Sequence, residues 1–536
     1  MKRKILGNKL YLYLTEFFAG MSVMAVELGA SRLLAPYFSS SQIVWTIIIG
    51  TIMIAMALGN IFGGRSADKD PNPDKLYGRI VIAAVWIALI PVLGKYIVLG
   101  ISAVLIFSVN SNYLIWAAFA ACMVIFVFPL FLLGTVTPSL VKYTVDDLGD
   151  SGKTVGMLNA SNTIGSIIGT FVPTFVTIPA VGTSITFLIF AGILMALSVV
   201  YFVSGKVKSV KTVVGVIILI IACLTGSSDS FAFWEQDLTY EGESVYNYLQ
   251  VKENDHAVYL STNVLFGVQS VYEKSDTLTG MYYDYAMAAP MMAGVNEKEE
   301  LDVLILGMGT GTFSTQCDRY FGNHTALHTE GVEIDEDITR LANDYFHLSK
   351  DTPVYTYDGR AYLNAVDRKY DVIMVDAYQD ITIPFQMSSV EFFTLVRDHL
   401  NEDGVMVVNM NMRGEEEGSI NQYLADTIAS VFPTVCTVDV IGSTNRELFA
   451  SARDDLMEVL QTNTELEQDL QLKGFMASIR EHITPYHATN YIMTDDKAPV
   501  ELLGMKVIDG LIGGEVEYYK AIYQEQGLAG LIDQLS

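Results

Sequence analysis

Cysteine is scarce in this chain and has no pattern. Four cysteines occur in 536 residues. Cys122 and Cys223 lie in apolar runs; Cys317 and Cys436 stand far apart in the second half. That spacing excludes a disulfide framework and a thiolate metal cluster. The seven histidines form no ligand cluster either, so no metal is expected. Positive charge is scarce too, but only after Gly226. From there on 18 Lys and Arg face 52 Asp and Glu, a net of −34; up to Gly226 the counts are 15 and 8, a net of +7. An acidic surface of that size argues against a nucleic-acid partner and gathers cations.

What fills the first 226 residues is apolar. Seven runs stand out, near 11–34, 43–64, 80–106, 115–137, 155–177, 184–204 and 211–226. Most reach the roughly 20 residues that a helix needs to cross hydrocarbon. The loops near 35–42, 107–114 and 178–183 hold no Lys or Arg. The other loops and the N-terminal tail hold thirteen, among them Lys2, Arg65, Lys142, Lys153 and Lys208. With seven crossings all of these fall on one side, so the N-terminus is expected in the cytoplasm and residue 227 onward outside it. Splitting the third run at Lys95 would put later lysines on the wrong side. Two carboxylates, Glu16 and Glu27, sit in the first run about three helical turns apart, on one face. Ionisable groups in lipid are costly and mark function by default; Asn159 and Asn162 are candidate neighbours.

From about 240 the pattern changes. "SVYNYLQVKE", "AVYLSTN" and "GVQSVYE" read as an antiparallel hairpin region, followed by a helix over "MYYDYAMAAPMMAG". Strands and helices then alternate: "DVLILG", "HTEGVEID", "PVYTYD", "YDVIMVDA" and "GVMVVNM" as strands, with helices between. Alternation of that kind gives a doubly wound α/β sheet. The expected organisation is a transmembrane bundle of about seven helices over 1–226, a hairpin region with a lead-in helix over 227–300, and a Rossmann-like domain of the class I methyltransferase type over 301–536.

The chemistry gathers at strand ends. In "LGMGTGT", Gly307, Gly309 and Gly311 end the first parallel strand, where a missing Cβ lets backbone approach a ligand. Glu333 ends the next strand, 26 residues after Gly307, where a carboxylate accepts from ribose hydroxyls. A third strand runs into Asp358-Gly359 and a fourth into Asp376, so acidic strand ends outline one crevice.

These residues resemble the spermidine synthase (polyamine aminopropyltransferase) family, and the whole chain resembles its membrane-fused homologues. The match spans about 240 to 502. The glycine loop is Gly307 to Thr312; the family's "vEiD" is Glu333, Ile334, Asp335; its adenine segment is Asp358 to Ala361; its "YDvIivD" is Tyr370 to Asp376. Tyr282 and Asp284 stand in the places of its Tyr-x-Glu helix, Gln269 at the end of its hairpin, and "TDDKAPVE" (494–501) resembles the closing motif of the fused forms. Two positions depart. The loop Asp that holds the aminopropyl amine is Thr310 here, and the expected proton acceptor is Gln379, with Asp380 one residue later.

The resemblance implies a membrane-held aminopropyltransferase of polyamine biosynthesis, using decarboxylated S-adenosylmethionine, or S-adenosylmethionine itself, and an amine acceptor. Asp376 and Asp380 would take the proton, and Tyr282 would orient the amine. Gln269, Gly307, Gly309, Thr310, Gly311, Glu333, Ile334, Asp358 and Gly359 would hold the nucleoside. Methyl or other alkyl transfer is a second reading. A third is a half-transporter gated by an adenosyl metabolite, because "GNIFGGRSADKDPN" (59–72) and "GKTVGMLNASNTIGSIIGTF" (152–171) resemble two segments of major facilitator superfamily transporters. Such a bundle is half a transporter, and whether two protomers pair to complete it stays open.

Overall fold

The apolar runs become helices. In this computed structural model they are α1 (Lys9–Phe38), α2 (Gln42–Lys69), α3 (Pro73–Ile106), α4 (Tyr113–Ile125), α5 (Val127–Gly134), α6 (Val136–Thr144), α7 (Ser151–Val172), α8 (Ile178–Ser204) and α9 (Val210–Thr225). The structure describes residues 8–38, 41–106, 112–144, 151–207, 209–226, 238–262, 268–275, 277–377, 383–411, 414 and 416–535. The chain divides into two units. One is Met1–Trp234 together with Gly513–Ser536; the other is Glu235–Ile512.

Five helical stretches among the described residues are long and apolar enough to cross a membrane. Their outward faces are apolar, as at Met53, Ile61 and Phe175, which water would penalise and lipid would not. One stretch, Ser151–Ser204, is 54 residues long. It is interrupted by a wider turn at Pro173–Thr177 and by Gly182, whose φ of 77° and ψ of 171° are not helical. The fourth apolar run is three successive helices, α4 to α6, with breaks at Phe126 and Thr135. Small residues in α7 do what their spacing suggests. A Cβ on Gly165 would lie 2.0 Å from the Phe17 carbonyl oxygen, and one on Gly169 2.2 Å from that of Met21. The α1 and α7 backbones therefore touch.

Glu16 is fully buried in this unit. Its Oε1 accepts from Thr137 on α6 and, at 2.8 Å, from Asn162 on α7. Asn159 is exposed instead, and Glu27 is only half-buried.

The second unit opens with an antiparallel sheet of β1 (Tyr240–Glu243), β2 (Tyr248–Glu253), β3 (Ala257–Ser261) and β4 (Ser270–Glu273), paired in that order. The helix expected over "MYYDYAMAAPMMAG" is two short ones, α10 (Tyr282–Ala286) and α11 (Ala288–Met292), parted at Met287. Then follow β5 (Glu300–Leu306), α12 (Thr312–Phe321), β6 (Ala326–Glu333), α13 (Glu336–Tyr345), β7 (Val354–Thr356), α14 (Gly359–Ala365), β8 (Tyr370–Val375), α15 (Val390–Asp398) and β9 (Leu400–Met410). Beyond them lie α16 (Ile420–Ala429), β10 (Thr434–Asp439), β11 (Arg446–Ser451), α17 (Leu456–Leu466), α18 (Leu470–Arg480), β12 (Thr484–Pro485) and α19 (Val500–Leu535).

The large sheet has the order β12-β10-β11-β9-β8-β5-β6-β7. Strands β5 to β9 are parallel; β11, β10 and β12 add antiparallel. The central parallel strands β5 and β8 are mostly apolar because both of their faces are buried. Val303, Ile305, Met374 and Val407 fill the face beneath α10 and α11, while Leu304, Leu306, Ile373 and Val408 fill the other. Chain order reverses between β5 and β8, and that switch point is where an open sheet of this kind leaves a crevice.

Candidate active site

The crevice is a cavity of about 620 Å³, walled by the carboxyl ends of β5, β6 and β8, the hairpin sheet and α10. Gln269, Tyr282, Gly307, Gly309, Glu333, Ile334, Asp358, Gly359 and Asp376 all line it. Thr310 and Gly311 are not in its wall. Thr310 is buried with its hydroxyl unpartnered, and its amide donates to Ser270. Asp380 and Gln379 lie outside the described residues.

Gly307 and Gly309 line the cavity, and Gly307 has a packing role as well. Gly307 has φ 86°, a conformation that costs a side-chain-bearing residue strain. A Cβ there would stand 2.5 Å from the Asp376 carbonyl oxygen and 2.6 Å from Ala377 Cα. The glycine admits the neighbouring strand end, seating the residues after β8 against the loop that follows β5.

Glu333 is held by backbone. Its Oε2 accepts from the Gly309 amide at 2.9 Å and its Oε1 from the Asp335 amide at 3.1 Å. Burial outweighs these bonds and pushes its carboxyl up to about 7. Asp335 caps α13 and takes bonds from Ser244 and Asn247, which ties the hairpin sheet to β6. Asp358 caps α14 through Oδ1, accepting from the Ala361 amide at 2.8 Å. The next residue, Arg360, forms a two-pronged pair with Asp495, both contacts at 2.7 Å. The "TDDKAPVE" run is therefore a brace on this corner.

Asp376 is held by side chains. Tyr282 donates its hydroxyl to Oδ2 at 2.6 Å, and Asn409 donates Nδ2 to Oδ1 at 2.9 Å. Asn445 in turn donates to Asn409 at 2.8 Å. Both bonds favour the charged form, yet burial dominates and pushes Asp376 up to about 7. A carboxyl there is poised to exchange a proton near neutrality. Burial and the adjacent Asp376 push the Tyr282 phenol well above its usual range, so it remains a donor. Asp284, carried over with Tyr282, faces away from the cavity; it is buried against the turn at Thr279 and Gly280 and accepts their amides.

Several wall residues had no motif to announce them: Tyr246, Asn247, Asn409, Ser443, Thr444 and Asn445. Asn409 carried a signal, a polar residue inside the apolar strand "GVMVVNM". Among the described residues the wall holds three carboxylates, Glu333, Asp358 and Asp376, and no Lys, Arg or His.

Comparison with known proteins gives the same region a pedigree. Residues 281–442 match the spermine/spermidine synthase domain. A probable polyamine aminopropyl transferase from Bifidobacterium longum (strain NCC 2705) is 49% identical over 354 residues, covering 63% of this chain and 78% of its own length. A polyamine aminopropyltransferase from Alkaliphilus metalliredigens (strain QYMF) is 31% identical over 243 residues, 42% of this chain and 81% of its own. Among solved structures, a probable spermidine synthase from Corynebacterium glutamicum ATCC 13032 aligns at 15% identity and a TM-score of 0.37, covering 47% of this chain and 98% of that one.

Proposed function

Because this chain belongs to the spermine/spermidine synthase family of polyamine aminopropyltransferases, we propose that it transfers an aminopropyl group from decarboxylated S-adenosylmethionine to a small amine. The observation that carries this reading is the cavity wall, with three carboxylates and no cationic side chain among the described residues. Both reactants are cations, and a concave acidic site of low dielectric attracts them. The cavity is large enough for a nucleoside and a short amine together.

The donor supplies a sulfonium leaving group and the carbon to be attacked. The chain's residues supply position and a base. Glu333 and Asp358 keep acceptor capacity for nucleoside hydroxyls and amines after their backbone bonds are made. Holding the amine beside the donor makes a bimolecular step effectively unimolecular. The amine arrives as an ammonium and must lose a proton before its lone pair can attack. Asp376 takes that proton, with Tyr282 and Asn409 fixing the direction of its two oxygens. A new C–N bond forms as the C–S bond breaks, leaving a neutral thioether.

Purified protein given decarboxylated S-adenosylmethionine and 1,4-diaminobutane should release methylthioadenosine. Release of adenosylhomocysteine from S-adenosylmethionine, without methylthioadenosine, would assign methyl transfer and overturn this reading. The helical unit holds the enzyme in a membrane, on the strength of its five long apolar helices. Thirteen Lys and Arg in its tail and loops put the N-terminus in the cytoplasm and, with seven crossings, the acidic unit outside it. Reporter fusions after residue 227 and at the C-terminus test that; activity of a cytoplasm-only reporter at both sites would return the unit to the cytosol.

A further inference from the structure

The helical unit carries a feature that holding a membrane does not call for. Glu16 on α1 is fully buried, and its carboxyl lies where α1 meets α6 and α7. Both donors that reach it, the Thr137 hydroxyl and Asn162 Nδ2, go to the same oxygen, Oε1. Oε2 is buried and has no hydrogen-bond partner among the described residues. A carboxylate spreads its charge over two equal oxygens and accepts at both. In a carboxylic acid the carbonyl oxygen accepts and the other oxygen carries the proton. Two donors on one oxygen and none on the other is the pattern of the acid.

The surroundings favour the same form. Helices α2 to α8 all touch α1, and their charged groups are engaged elsewhere. Lys142 at the end of α6 pairs with Asp68 on α2 at 2.8 Å. Arg79 on α3 donates to the Ser66 hydroxyl of α2 and lies over the Phe62 ring. Asp74 on α3 accepts from Tyr201 on α8. Tyr77 on α3 meets Thr15, the residue before Glu16. Tyr113 on α4 donates to the Ser102 carbonyl, and Lys153 on α7 is exposed. Glu27 and Arg32 stand about three turns or more farther along α1. No cation among the described residues pairs with Glu16, and an unpaired charge buried there costs far more than a neutral acid.

We propose that Glu16 is a proton-binding site of the helical unit: the carboxyl holds a proton on Oε2 and exchanges it with water on the side that bears Lys9 and Lys142. This rests on the membrane placement of that unit. Glu16 stands seven residues in from Lys9, and Thr137 seven residues before Thr144 at the end of α6. About 10 Å of helix therefore separates the carboxyl from that side. In the exchange the O–H bond breaks, the proton passes to water and the carboxylate keeps the electron pair. The ionised carboxyl accepts at both oxygens, so the Thr137 hydroxyl turns to Oε2 while the Asn162 bond stays. The junction of α1 with α6 then has two arrangements, one for each proton state.

Dicyclohexylcarbodiimide, an apolar reagent, modifies carboxyls that are protonated in apolar surroundings. Full-length protein in its membrane near pH 7 should take the label at Glu16, read by peptide mass spectrometry, and labelling should fall as the buffer is made alkaline. Glu16→Gln keeps the accepting oxygen and puts N–H where the acid has O–H. Its thermal midpoint should match wild type, whereas Glu16→Ala should lose several degrees. Tryptophan fluorescence follows this, because all four tryptophans (45, 86, 116 and 234) lie before residue 235. An unlabelled Glu16, labelling that ignores pH, or equal midpoints for Glu16→Gln and Glu16→Ala would overturn the proposal. Failure of the membrane reading shows separately, as release of the protein from membranes by alkaline carbonate.

Discussion

The two ends of the cavity are made of different material. At one end Glu333 is gripped by backbone amides, of Gly309 and Asp335. At the other, Asp376 is gripped by side chains from two other elements, Tyr282 on α10 and Asn409 on β9, with Asn445 behind. Backbone donors come with the strand–loop–helix turn itself and survive most substitutions. Side-chain donors are each one mutation from loss. On the proposed reading, the nucleoside end is therefore the sturdier against side-chain substitution and the amine end the more easily altered.

Substitutions should separate the two ends. Asp376→Asn removes the base and should lower kcat by about 10²–10⁴-fold, with methylthioadenosine affinity unchanged in a direct titration. Glu333→Ala should do the reverse. It should weaken methylthioadenosine about 10–100-fold, the effect of losing a charge-assisted hydrogen bond, while kcat at saturating donor moves far less. A variant that damaged both parameters equally would mean the ends are one unit.

The pH dependence sharpens the comparison. Asp376 must be ionised to act, and its carboxyl is pushed up to about 7, so kcat/KM should fall as pH drops through about 7. Stability should run the other way. The folded protein binds more protons than the unfolded chain between the ordinary carboxylate range near 3.8 and about 7. Stability contributed by these groups is therefore present at low pH and lost as pH rises across that window. Chemical denaturation at several pH values should show a shallower slope in Asp376→Asn. The smallest effect is expected at Tyr282→Phe, a loss of about tenfold in kcat from one unmade bond to a charged group, measurable in the same turnover assay.

The strand-end residues of the cavity were legible in the sequence because each is local to its own strand. Gly307, Glu333 and Asp358 on one side and Asp376 on the other each lie at or just past the end of a parallel strand, and a doubly wound sheet brings successive strand ends together. The side-chain support of Asp376 was not legible, because Asn409 and Asn445 meet only through the antiparallel pairing of β9 with β11. Asn409 did leave a trace as a polar residue inside the apolar run "GVMVVNM". The glycine loop lies at the strand end where it was read, and Gly307 has a further role that the sequence did not show, since the room beside it is taken by Asp376 and Ala377. Thr310 was read as loop wall, yet its side chain turns inward and is buried. In the helical unit the neighbour of Glu16 proved to be Asn162 and not Asn159, which lies about a turn earlier on α7 and is exposed.

The contact of α1 with α7 has a mechanical consequence. With the Phe17 and Met21 carbonyls seated where side chains would otherwise be, at Gly165 and Gly169, neither helix can slide or roll without a backbone collision. The pair is therefore one stiff element, and the Glu16–Asn162 bond, made between its two halves, is held at a fixed length by backbone rather than by side-chain packing.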